Sequence, residues 1–302
     1  MSDFGLKGRT AVITGAGGGL GRTHALLFAK HGANVVVNDL GGSCKGEGKG
    51  SEMADKVVDE IKAAGGNAVA NYDSVSTEAG ANGIVKTAVD TFGKIDILVN
   101  NAGILRDTSF VKMTDADWDL VFAVHMKGAY YCTKAAWGYM RDQKFGRVVL
   151  TSSASGIYGN FGQTNYAAAK MGLVGFGQTL ALEGEKYNIR VNMIAPVAAS
   201  RMTESLMPPF VLEKLKPECV SPLVVYLCSE NVDVNGELYE VGAGAIARIE
   251  TLRSKGLAMN PDEITVEAVA EAWTKINDMT DAQILRSIGE STQTTLAHCM
   301  TA

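Results

Sequence analysis

The sequence predicts an α/β fold, a doubly wound parallel sheet, and three observations carry that reading. Short β-branched apolar runs alternate with longer helical patterns, and a glycine-rich stretch joins the first run to the first helix. Alternation of this kind implies β-α-β units with helices on both faces of one sheet. The apolar runs also lack a period of two, as strands do when both of their faces are covered.

The elements follow in order. Residues 11–14 read as a buried strand, 21–31 as a helix and 35–39 as the second strand. Residues 41–50 (GGSCKGEGKG) hold five glycines and are expected to form a mobile loop, a flexible connector in preference to a flap over the cleft. A helix over 51–64 leads to a strand at 68–72, a helix at 84–92 and a strand at 97–100. One long helix is expected over 118–140, then a strand at 148–151, a helix at 165–187 and a strand at 190–194. Residues 238–241 complete the sheet. Beyond Gly244 the alternation stops, and 263–277 reads as one amphipathic helix with Trp273 turned inward. The expected organisation is a dinucleotide-binding catalytic domain over 1–245 and a C-terminal helical extension, 246–302, packed on it.

Composition excludes several classes of function. The 302 residues carry 28 Lys+Arg and 33 Asp+Glu, a net charge of −5, without a basic stripe for nucleic acid. No run approaches 18 apolar residues, so no membrane span is expected. Seven acids against two bases lie from Pro261 to Ala302, the pattern of a solvated helical face. Cys44, Cys132, Cys219, Cys228 and Cys299 form no C-x-x-C pair, which fits a reducing compartment, and no metal-ligand cluster is visible.

The glycine-rich stretch runs Thr14-Gly15-Ala16-Gly17-Gly18-Gly19-Leu20-Gly21, between strand and helix. Glycine there lets a pyrophosphate approach the amides at the helix N-terminus. Asp39 ends the second strand, where a carboxylate accepts both ribose hydroxyls of NAD and repels a 2′-phosphate, so NAD is expected over NADP. Asp73-Ser74-Val75 and Asn100-Asn101-Ala102-Gly103 follow the third and fourth strands and outline the same crevice.

Hydride chemistry on an alcohol needs a base for the hydroxyl proton. Tyr166 and Lys170 share a helix face at i and i+4. An ammonium at about 4 Å, with an effective dielectric near 20, contributes about 4 kcal/mol, enough to bring a phenol from 10 towards neutrality. Desolvation opposes this, and a cationic nicotinamide is expected to help. A second Y-x-x-x-K, Tyr130…Lys134, is read as core packing. It lacks what Tyr166 has thirteen residues upstream: Ser153, just past a strand, with a hydroxyl for the substrate oxygen.

T-G-x-x-x-G-x-G, the NNAG run, Ser153 and Tyr166-x-x-x-Lys170 together resemble the short-chain dehydrogenase/reductase family, over roughly residues 5–245. Segments such as VVVNDLGG, NNAGILRD, SSASGIYGNFGQ and IAPVAASRMT are similar, within it, to the (3R)-hydroxyacyl-CoA dehydrogenase group of peroxisomal multifunctional enzymes. The resemblance implies a Rossmann-type fold and NAD-dependent oxidation of a (3R)-hydroxy fatty acyl-CoA in β-oxidation. It further implies a homodimer, peroxisomal residence, and relatives that continue into a hydratase domain. By position it implies that Ser153 orients the substrate, Tyr166 accepts the proton, and Lys170 lowers its pKa and holds the ribose. It assigns Gly15, Gly19, Leu20, Gly21, Asp39, Asp73, Ser74, Val75, Asn101, Gly103, Tyr166, Lys170, Ala198, Ala199, Ser200 and Arg201 to the cofactor. A 3-ketoacyl reductase or hydroxysteroid dehydrogenase of the same fold is the nearest alternative, and a non-catalytic dinucleotide-binding scaffold a remote one. Two departures stand out. His125 occupies the N-x-x-G position where many members carry a catalytic Asn, which leaves the relay water open: either the His125 backbone carbonyl holds it or, less expected, the imidazole acts as a relay itself. Pro196-Val197 replaces the usual Pro-Gly.

Overall fold

The computed structural model describes residues 4–198 and 213–297. The chain divides into two compact units, Met1–Arg248 and Ile249–Ala302. In the first unit eight strands form one sheet: β1 (Thr10–Thr14), β2 (Asn34–Asn38), β3 (Asn67–Asn71), β4 (Ile97–Asn100), β5 (Gly146–Thr151), β6 (Ile189–Pro196), β7 (Leu238–Gly242) and β8 (Ala245–Ile249). Their spatial order is β3-β2-β1-β4-β5-β6-β7-β8, and neighbours from β3 through β7 pair in parallel. The order reverses between β1 and β4, where Ala11 faces Ile97 and Ile13 faces Val99. A sheet of this kind opens its crevice there, outside the carboxyl ends of the strands.

Among the described residues the helices of this unit are α1 (Gly19–Lys30), α2 (Glu52–Ala63), α3 (Glu78–Phe92), α4 (Asp115–Phe122), α5 (Gly128–Asp142), α6 (Ala154–Tyr158), α7 (Thr164–Gly184) and α8 (Ser221–Leu227). α1 packs on α2 and α8, while α3 packs on α5. Every residue of β1, β4 and β5 is buried, which explains why their sequences show no alternation of apolar and polar residues. One core joins Ile13, Val35 and Val37 to Phe28 of α1, Val57 and Ile61 of α2, and Val224 and Leu227 of α8. Burying a side chain such as Phe28 contributes about 2–3 kcal/mol. Helix ends follow local rules: Thr77 caps α3 by accepting from the Gly80 amide, and left-handed Gly93 stops it.

Several sequence expectations are corrected. The helix expected over 118–140 is two helices joined by a π turn, Ala123–Lys127. The extra residue rotates His125 into the interior, and Gly128 restarts the helix flush against Val75, where a Cβ would come within 2.9 Å of the valine side chain. Residues 238–241 do not complete the sheet, since Ala243 and Gly244, both at positive φ, turn the chain directly into β8 beside β7. Tyr130 lies on the surface rather than in the core, against Tyr131 and Phe176, with the Lys134 ammonium 5.5 Å from its ring centre.

The second unit holds a two-stranded antiparallel ribbon, β9 (Leu252–Arg253) with β10 (Gln283–Ile284), and two helices, α9 (Val266–Ile276) and α10 (Ile288–Ala297). Arg286 pairs with Glu250 at 2.9 Å. Thr265 caps α9. Trp273 is 60% exposed, so the inward tryptophan of the sequence reading is wrong. Ala272, one position earlier, is the buried residue of that helix. Among the described residues no helix is long and apolar enough to cross a membrane.

Candidate active site

At the β1 end of the crevice the glycine-rich turn meets α1 with almost no spare volume. A Cβ on Gly21 would sit 2.2 Å from the Gly15 carbonyl, so only glycine allows the helix to start there. The Asn101 side chain braces the turn from below, donating to the carbonyls of Thr14 (3.0 Å) and Gly15 (3.1 Å). Thr14 Oγ1 in turn accepts the amides of Asn101 and Ala102, both at 3.0 Å. Asp39 accepts from the Gly17 amide (2.8 Å) through one carboxylate oxygen and from the Gly41 amide (2.7 Å) through the other. The carboxylate therefore stands at the rim of the turn. A cradle that a Cβ would fill, amides at the N-terminus of α1 and a carboxylate at the end of β2 fit the diphosphate and ribose of a dinucleotide. Ser74 Oγ pairs with Ser76 Oγ at 2.8 Å, Asp73 accepts from Asn71 at 2.9 Å, and Val75 is buried near Gly128.

At the other end β5 delivers Ser153 and α7 delivers Tyr166 and Lys170. Ser153 caps α6, accepting from the Ser155 amide at 3.2 Å. α6 lies hard against α7: a Cβ on Gly156 would meet the Met171 amide nitrogen at 2.9 Å and the Lys170 Cβ at 3.1 Å. Gly156→Ala should therefore push Ser153 away from Lys170. The expected outcome is a loss of about 1–3 kcal/mol in stability, read by thermal melting, and at least tenfold in turnover per folded molecule.

The Ser153 hydroxyl lies close enough to the Tyr166 phenol to lower its pKa, and Lys170 Nζ lies 5.4 Å from the Tyr166 ring centre. Lys170 is almost fully buried and Nζ donates to the Thr151 carbonyl at 2.6 Å. Burial decides both ionisations. It pushes the Tyr166 phenol up to about 12 against the nearby Ser153 hydroxyl, which lowers it, while the Asp107 carboxylate adds to the rise. Burial also brings the Lys170 ammonium down to about 7. The desolvation set against the Coulombic effect in the sequence is the larger of the two in the folded chain: both groups are stripped of water, and that cost keeps the phenol protonated.

His125 stands edge-on to Tyr166 with ring centres 5.2 Å apart. Its Nε2 is 3.1 Å from the Ile104 amide and 2.8 Å from the Ile104 carbonyl, so it is engaged in either tautomer. Burial and the nearby Lys170 charge hold the imidazole well below its usual pKa, and it is neutral. A polar cavity of about 10 Å³, the size of one water molecule, is lined by Thr14, Asn100, His125, Thr151 and Lys170.

The stretch from Asn101 to Thr108 joins the two ends and carries residues whose roles the sequence reading did not assign. Arg106 Nε donates to the Lys45 carbonyl (2.8 Å), and its guanidinium reaches Glu47 (3.2 Å) and Asp117 (3.7 Å). Leu105 donates to the Cys44 carbonyl at 2.9 Å, and Gly46 rests against Ile104 and Leu120. The 41–50 segment, expected as a mobile connector, is instead fastened along the mouth of the crevice. Asp107 is held by Gln163 Nε2 at 2.6 Å, and Thr108 by the Gly162 carbonyl at 2.9 Å. The sequence signal for these ties was weak: the run ILRD and the polar residues just before Tyr166. Of the residues assigned by resemblance, Ala198 follows β6, while Ala199, Ser200 and Arg201 lie outside the described residues.

Comparison with known proteins places these features. The pattern described as short chain dehydrogenase matches residues 9–208. A peroxisomal multifunctional enzyme A of Dictyostelium discoideum is 55% identical over 291 residues, 96% of this chain and 65% of that protein. A short-chain type dehydrogenase/reductase of Mycobacterium tuberculosis is 54% identical over 93% of this chain and 98% of its own length. The solved structure of full-length peroxisomal multifunctional enzyme type 2 from Drosophila melanogaster superposes with a TM-score of 0.84 at 44% identity, over 98% of this chain and 50% of that one. The chain thus spans about two thirds of one multifunctional relative and half of the other.

Proposed function

Because this chain belongs to the short-chain dehydrogenase family, we propose that it oxidises (3R)-3-hydroxyacyl-CoA to 3-ketoacyl-CoA with NAD. Members of the family use NAD or NADP. The observation that carries the reading is the meeting of Ser153, Tyr166 and Lys170 beside the crevice that Asp39 and the glycine-rich turn shape. Likeness to the dehydrogenase part of the multifunctional enzymes over nearly the whole chain supports the substrate class.

In this reading Ser153 donates to the substrate hydroxyl oxygen and holds it at the phenol. Tyr166 takes the hydroxyl proton as the hydride leaves carbon 3 and the carbonyl forms. Held by Asp39 and the glycine-rich turn, NAD would supply the hydride acceptor and a positive ring charge to oppose the burial that keeps the phenol protonated. Lys170 adds its charge from below and holds the ribose. Asn101 and Thr14 keep the glycine-rich turn in shape, and His125, neutral and tied to Ile104, supports the face of Tyr166.

Asp39 selects NAD, since its carboxylate stands where a 2′-phosphate would bring further negative charge. Asp39→Ser is expected to raise the NADP-to-NAD ratio of kcat/KM by about 10–100-fold. The general reading is tested with 3R and 3S hydroxyacyl-CoA thioesters of several lengths, following NADH formation. Turnover confined to the 3R series with NAD is expected; a strong NADP preference, or turnover of steroid alcohols alone, overturns it. Exposed Tyr130, Tyr139, Met171 and Leu182 on α5 and α7 support a homodimer, which sedimentation velocity checks. The peroxisomal relative supports a peroxisomal setting for β-oxidation, and the mycobacterial relative carries the same domain outside that organelle.

A further inference from the structure

Tyr166 lies in the first turn of α7, where backbone amides have no partner inside the helix. Its own amide is taken by the side chain of the preceding residue: the Tyr166 N–H donates to Asn165 Oδ1 at 2.7 Å. Asn165 is fully buried. Its Nδ2 donates to two carbonyls from separate segments, Arg106 at 3.2 Å and Asp117 at 3.4 Å. One buried amide group thus joins the start of the catalytic helix, the stretch after β4 and the first turn of α4. Gln163, two residues earlier, makes a parallel tie to Asp107 and accepts from Asn160 at 3.0 Å. The stretch so held is the one that braces the glycine-rich turn at Asn101 and meets His125 at Ile104.

We propose that Asn165 is a positioning residue, which sets the phenol of Tyr166 against the dinucleotide end of the crevice by bolting its helix to residues 106 and 117. The inference rests on the dehydrogenase reading above for its chemistry, and on the three hydrogen bonds for its geometry. Buried amides that satisfy several backbone groups at once define one arrangement of the segments they join. Asn165 touches neither substrate nor cofactor in this account. Its contribution is alignment, and small misplacements of a proton acceptor cost rate more than binding.

The test uses the full chain carrying Asn165→Ala or Asn165→Ser, side chains too short to reach both carbonyls. We expect kcat to fall 10–100-fold, with KM and the NAD dissociation constant within threefold of the parent and the melting temperature within a few degrees. The primary deuterium isotope effect on kcat should rise as chemistry becomes slower. A kcat within twofold of the parent overturns the proposal, as does a kcat loss matched by an equal loss of NAD affinity. If neither variant folds, Gln163→Ala cuts only the parallel tie: a 3–10-fold loss in kcat at constant KM supports the proposal and unchanged kcat overturns it. If the parent itself oxidises no hydroxyacyl-CoA, the functional reading has failed, and the geometry is read from 13C-tyrosine spectra of the NAD complex. A Tyr166 resonance shifted or broadened in Asn165→Ala supports the positioning role; a superimposable one overturns it.

Discussion

Tyr166→Phe is expected to lower kcat by about 10³-fold while leaving the NAD dissociation constant within twofold, because on the proposed reading it removes the proton acceptor and leaves the glycine-rich turn untouched. The ring keeps its edge-on contact with His125, and the turn that receives the dinucleotide is built by Asn101, Thr14 and the glycines, which the phenol does not touch. The parent should show a rate that rises with pH, since burial pushes the phenol up to about 12 and only the deprotonated form accepts a proton. The variant should lose that limb. Steady-state kinetics from pH 6 to 10 with direct NAD titration checks both parts, and a variant that turns over like its parent removes Tyr166 from the mechanism.

Lys170→Met is expected to abolish turnover, by at least 10³-fold, and yet to stabilise the fold at mildly acidic pH. Burial lowers the lysine in the folded chain from 10.5 to about 7, which corresponds to about 5 kcal/mol. Leaving the Thr151 carbonyl without its donor returns up to about 3 kcal/mol, so a net gain of about 2 kcal/mol remains. Between the two pKa values the unfolded chain binds the proton and the folded chain does not. The penalty is therefore complete below pH 7 and fades as the pH climbs towards 10.5. Melting the two proteins at pH 6 and pH 9.5 should show a gap that shrinks at the higher pH. On the proposed reading, a buried, costly lysine kept beside a phenol is what catalysis at that position requires, and stability is reduced to keep it.

The sheet was legible because its signal is local. Unbroken β-branched runs, a glycine turn opening a helix and an acid closing the second strand each need only neighbours in sequence, and β1, β2 and Asp39 lie where those patterns put them. The pairing of Ser153 with Tyr166 was legible for a related reason: one follows a parallel strand, the other opens the next long helix, and right-handed crossover places both at one edge. Trp273 and Tyr130 were misread because a helical period says which residues share a face and is silent on whether anything covers it. The π turn at 123–127 was hidden, since one added residue leaves the composition of a helix unchanged.

What the sequence determined by itself is therefore the fold class, the dinucleotide turn and the identity of the residues gathered at the crevice. What only the tertiary structure decided is their state: which groups are stripped of water, how far Lys170 stands from Tyr166, and how Arg106, Asp107 and Asn165 tie the 41–50 segment and the catalytic helix together. Spacing along a chain sets which side chains can share a face. Desolvation and hydrogen-bond satisfaction depend on everything packed around them, most of it dozens of residues away.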